Sequence, residues 1–63
     1  MVVYVAVLTY VVEGHEKFPH TVVAGIFRMR DTAERALNRE YEFIESDLSL
    51  TVIEMLISEQ WLD

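Results

Sequence analysis

Two histidines, His15 and His20, share one polar stretch with Glu13 and Glu16. Imidazoles and carboxylates are metal ligands, and a loop can wrap such groups round one ion. A His-x4-His spacing outside a helix fixes no geometry, however, and no third rigid ligand stands near it. Two solvated loop histidines account for the pattern better, and no metal is expected. The hydroxyls of Ser46, Ser49, Ser58, Thr9, Thr21, Thr32 and Thr51 lie in no glycine elbow and have no evident His–acid partner. There is no cysteine to supply a thiolate, and no glycine loop to cradle phosphate. Glu40, Glu42, Glu45 and Asp47 cluster, but acids at the end of a helical pattern form a solvated face. A chain of 63 residues can hardly wall the pocket of about 300 Å³ or more that ligands need, except between subunits. The reading is of a protein that is not an enzyme, with no catalytic residues and no cofactor.

Charge narrows the partners. Residues 1–30 hold Glu13, Glu16, Lys17, Arg28 and Arg30, a net +1; residues 31–63 hold nine acids and two arginines, a net −7. The total of −6 argues against nucleic acid, whose phosphates attract clustered Lys and Arg, and against an anionic membrane. The apolar opening to Val12 is shorter than the ~20 residues a bilayer needs. It also lacks the basic start and cleavage site of a signal peptide. A cytoplasmic protein, whole from its initiator methionine, is expected.

The elements follow from side-chain type. Val2 to Val12 is dense in β-branched and aromatic residues, which suit a crowded pleated surface. It predicts a strand with both faces apolar, and so both buried. The stretch 13–20 carries Gly14 and Pro19 and reads as the loop of a wide hairpin. Thr21 to Arg30 predicts a second strand. Asp31, as N-cap with Glu34 in a capping box, predicts a helix running to about Ser46. Ala33, Leu37, Tyr41 and Ile44 make its apolar stripe, and Asp31–Arg35 and Arg39–Glu42 can pair along its surface. Leu50 to Ile57 predicts a third strand, with a helix from Thr51 to Trp61 as the rival reading.

Strand, strand, helix, strand implies a single α+β domain over residues 1–63, with the ββαβ sheet ordered 2-1-3 and strand 1 central. One helix covers one face. The preferred assignment puts Val3, Val5 and Val7 beneath it, with Val23, Gly25, Phe27, Ile53, Met55 and Ile57. The open face then carries Tyr4, Leu8, Tyr10, Ile26, Val52 and Leu56, with Arg28 and Glu54 at its margin. Tyrosine beside arginine is an interface composition, and apolar patches beyond a few hundred Å² usually mark one. The alternative swaps the faces of strand 1 and puts the tyrosines under the helix. Either way, one apolar face of strand 1 stays uncovered. Trp61 reads equally as an interface anchor or as a plug beside Phe18 or Phe43.

The run Ala24-Gly25-Ile26-Phe27-Arg28-Met29-Arg30-Asp31-Thr32-Ala33-Glu34-Arg35-Ala36-Leu37, after the strand containing Val3-Tyr4-Val5, resembles a group of very short bacterial and phage proteins. They share an opening strand, a glycine-x-phenylalanine strand end, a helix with alanine-glutamate-x-alanine, and a closing strand. The resemblance implies ββαβ and a phage origin, and no activity or site residue comes with it.

The function expected is that of a protein-interaction module. It self-associates as a dimer, sheet against sheet, with strand-edge pairing the runner-up. It then binds another protein, as a phage-encoded host inhibitor or accessory factor would. Two alternatives are an acidic DNA mimic, suggested by the −7 of residues 31–63, and a binder of small molecules between subunits.

Overall fold

A computed structural model describes residues 1–63 as β1 (Val2–Val12), β2 (His20–Phe27), α1 (Arg30–Glu45) and β3 (Leu50–Trp61). The sheet is ordered β2-β1-β3, with β1 antiparallel to both neighbours. The expected ββαβ fold, with strand 1 central, is the one observed. β3 is a strand along its whole length and reaches Trp61, four residues beyond the expected end. Its alternating contacts with β1 reward the β-branched Val52 and Ile57 more than local propensity rewards a helix.

The helix begins two residues earlier than expected: its N-cap is Met29, not Asp31, and has no side-chain cap. Asp31 lies inside the first turn, where its charge favours the helix N-terminus without capping it. The ion pair on the surface joins Arg30 Nε to Glu34 Oε1 at 3.4 Å, both largely exposed. At the other end, Ser46 N–H donates to Glu42 O at 3.1 Å. Asp47 Oδ1 then accepts from Ser49 N–H at 2.9 Å and from Ser49 Oγ at 2.7 Å, which turns the chain into β3. These two bonds favour the charged form and hold the Asp47 carboxyl below its ordinary pKa, the side-chain bond contributing most.

The core is small. Ala6, Leu8, Ala33, Leu37 and Ile44 form one buried cluster, with Tyr4, Tyr10, Phe27, Leu50, Val52 and Ile57 half-buried against it. The faces of β1 are therefore the reverse of the preferred assignment. Tyr4, Leu8 and Tyr10, expected on an open face, lie under α1, as does Val52. Ala6 and Ala33 explain why: both are wholly buried. A small residue at the middle of the strand lets the helix axis come close, while the longer Tyr4 and Tyr10 fill the space at its ends. A row of valines offers no such hollow. Val3 is buried too, yet stands outside that cluster, on the other face.

Two bulges shift the flanking strands. Ala24 is the extra residue of β2, between the pairs Ala6–Gly25 and Val7–Val23. Ile53 is the extra residue of β3, between Thr9–Glu54 and Tyr10–Val52. Each bulge turns the alternation over once. That puts Val52 under the helix while Leu56 stays on the open side, and it takes Val23 and Ile53 out of the expected core. Gly25 meets the ring of Phe27 instead of the helix: a Cβ there would lie 2.5 Å from the ring's outer carbon.

Candidate functional site: the uncovered face of the sheet

Residues directly opposite in an antiparallel ladder share a face. Tracing the pairs from Val3, Val5 and Val7 gives Ile26 and Val23 on β2 and Leu56 on β3. Ser58 and Gln60 continue the face toward one end, and Thr9, Thr21 and Glu54 toward the other. No element of the chain packs over it. Val5 and Val7 are half-buried by their neighbours alone, whereas Val23, Ile26 and Leu56 are 58%, 66% and 50% exposed. The result is an aliphatic stripe along the middle of the sheet with polar residues at both ends. Thr9 Oγ1 and Thr21 Oγ1 meet at 3.3 Å on its rim.

Of the residues expected at an interface, the structure gathers Ile26 and Leu56 on this face. Arg28 lies exposed just beyond the end of β2. Tyr4, Leu8, Tyr10 and Val52 belong to the core instead. The valines that replace them are legible as apolar, but the sequence reading places them under the helix. Ala6 and Ala33, both wholly buried in one cluster, mark the row of β1 that faces the helix.

The polar residues that could do chemistry are dispersed. His20 opens β2 and stacks on Tyr10, ring centroids 5.3 Å apart and 20° from parallel. His15 sits in the turn that its N–H closes to Val12 O at 2.8 Å. Glu16 Oε1 accepts from Gly14 N–H at 3.1 Å. That bond, and one from its own N–H, lower its pKa. No group of three or more His, Asp or Glu side chains converges as metal ligands would. One open cavity of about 170 Å³ lies between the last turn of α1 and the start of β3, lined by Tyr41, Glu45, Leu50, Thr51 and Val52. Trp61 closes no core: it is 77% exposed, as are most of Phe18 and Phe43. No helix is long and apolar enough to cross a membrane.

Comparison of the chain with protein-family models, with curated proteins and with solved structures finds no match.

Proposed function

We propose that this protein is a non-enzymatic interaction module whose uncovered sheet face docks a second copy of the chain. The observation that carries the reading is the surface left over. A folded monomer of 7.4 kDa exposes about 4200 Å² by the usual scaling. This chain exposes 4769 Å², and only six of its residues are buried. The excess of roughly 550 Å² over that scaling is of the order that one partner buries in a standard interface, about 800 Å². An aliphatic stripe with polar ends can cover its own copy across a two-fold axis, which is the commonest closed arrangement. The stripe itself bears no charge except at its margin, where Glu54 and Arg28 lie.

In such a dimer both helices face outward. Each presents its own acids, Asp31, Glu34, Glu40, Glu42 and Glu45, to a further protein, and this is the surface that would recognise a basic partner. Salt separates the two kinds of contact. Each copy carries −6, so apolar self-association should strengthen as salt screens the repulsion, while capture of a basic partner should weaken.

Sedimentation equilibrium at micromolar concentration tests the docking. Ile26→Glu places a carboxylate in the stripe at a site two-thirds open to solvent, where it should not disturb the fold. The variant is expected to lose face-to-face association and keep the wild-type melting curve at low concentration. Unchanged association of Ile26→Glu would refute the reading.

A further inference from the structure

β3 is an edge strand of 12 residues with no proline and no lysine, blunted only by Glu54, Glu59 and the bulge at Ile53. Edges of this length are ordinarily blunted or covered, because each presents a row of unpaired backbone groups. The ladder fixes which groups those are. Met1 N donates to Leu62 O at 2.9 Å, and Leu62 N donates back to Met1 O at 2.7 Å. This exchange sets the alternation along the antiparallel pair. Gln60, Ser58, Leu56 and Glu54 turn their backbone groups toward β1, while Trp61, Glu59, Ile57 and Met55 turn theirs outward. Past the bulge at Ile53, Glu13 N donates to Ser49 O at 2.6 Å, so Val52 and Leu50 turn outward as well.

The two ends of this edge differ in a complementary way. At the end where α1 begins stands the exposed indole of Trp61, on the helix-bearing side as the ladder partner of Val2. At the end where α1 stops lies the cavity of about 170 Å³, with Leu50 in its wall on that same side and Glu45 at its margin. Eleven residues of strand separate knob and hole, about 36 Å at the strand rise. A two-fold axis at the middle of the strand exchanges them.

We infer that the β3 edge pairs antiparallel with the β3 edge of a second copy about an axis near Leu56, each Trp61 entering the cavity of the other chain. Met55 then faces the partner's Ile57, and Glu54 faces the partner's Ser58. With the Ile53 bulge absorbed, Leu50 faces the partner's Trp61. The six-stranded sheet that results closes both β3 edges. Its indole N–H groups meet the carboxylate of Glu45, and its alternation excludes one harmful register. Setting Glu54 opposite Glu59 would pair an inward-turned residue with an outward-turned one, which an antiparallel ladder does not allow. An indole in such a site buries roughly 150–250 Å². The assembly is independent of the uncovered face and compatible with it, since stacking two such dimers through their open faces gives a closed tetramer.

Trp61 is the single tryptophan, so its fluorescence reads this contact alone. The experiment starts from Ile26→Glu, which removes docking through the face. On concentration from nanomolar to millimolar, the variant should form a dimer as its emission shifts to the blue. Met55→Pro in that background removes one outward N–H and should abolish both changes. Trp61→Ala, at an exposed site that folding does not need, should weaken the dimer at least about 30-fold, as loss of an anchoring tryptophan does. A dimer whose emission stays that of a solvated indole would overturn the inference. So would a variant that remains monomeric throughout, or a blue shift that Met55→Pro leaves intact. If Ile26→Glu still forms the edge dimer while the wild type forms no larger species, the face reading fails and the edge reading stands.

Discussion

Leu8→Ala decides which face of β1 belongs to the core. Leu8 is 1% exposed and sits in the cluster with Ala6, Ala33, Leu37 and Ile44. Removing a buried leucine side chain costs its transfer free energy plus a cavity term, together about 2.7–5 kcal/mol. A domain of 63 residues is stable by about 3–9 kcal/mol at ordinary values per residue. The substitution should therefore remove a third of the stability or more, and at the lower end leave the chain largely unfolded. Val5→Ala, three residues away on the other face, touches a side chain covered only by its neighbours on the sheet. It should cost about 1 kcal/mol or less, in line with a substitution that opens no cavity. Both belong in an Ile26→Glu background at low concentration, so that association does not add to either number. Urea denaturation followed by circular dichroism reads the midpoints, with an unchanged slope confirming that stability alone has moved. A Leu8→Ala variant as stable as its parent, with Val5→Ala the damaging one, would put the valines back under the helix and refute the facing.

Gly25→Ala should cost about 1–3 kcal/mol, because the new methyl displaces the Phe27 ring. Adding Phe27→Ala should cost less than the sum of the two single changes, since both act on one contact; strict additivity in denaturant melts would dismiss the contact. Asp31→Ala should cost only the helix-dipole term of about 0.3–1 kcal/mol, and a larger loss would restore Asp31 as a true cap. Asp47 has its pKa lowered in the fold by Ser49, so its contribution is present above its unfolded pKa and disappears as pH falls through the folded value, below about pH 4. Melting temperatures of the wild type should accordingly fall more steeply there than those of Asp47→Asn, and parallel profiles would count against the bond.

How much of this was legible depended on the kind of signal. Element types and their order came from side-chain chemistry acting locally. β-Branched runs made strands, the Ala33–Leu37–Tyr41–Ile44 stripe made the helix, and the topology followed because a hairpin, a helix and a strand have few ways to close. Facing was different. β1 is apolar on both sides, so alternation carries no information about which side is in. The answer lay in a pair, Ala6 with Ala33, that exists only once the helix is docked. The bulges at Ala24 and Ile53 were equally hidden. Nothing in Val23-Ala24-Gly25 or Val52-Ile53-Glu54 marks an extra residue, yet each bulge moves half a strand to the opposite face. Six of the seven expected interface residues lie in strands, and four of them lie on the other side: Tyr4, Leu8 and Tyr10 through the facing of β1, Val52 through the bulge at Ile53.

The proposed self-association does not depend on which face of β1 is in. A central strand that is apolar on both sides needs two covering layers, and this chain has one helix. Whichever row faced α1, the other had to meet water or another chain. The choice changes the character of the exposed row. Tyr4 and Tyr10 would have offered hydroxyls and room for a polar partner. The row on the open side is Val3, Val5 and Val7 between Val23, Ile26 and Leu56, with Ser58 and Gln60 as its only hydrogen-bonding side chains, opposite Val5 and Val3. Such a surface suits a partner of matching shape and apolarity, as the second copy proposed above would be.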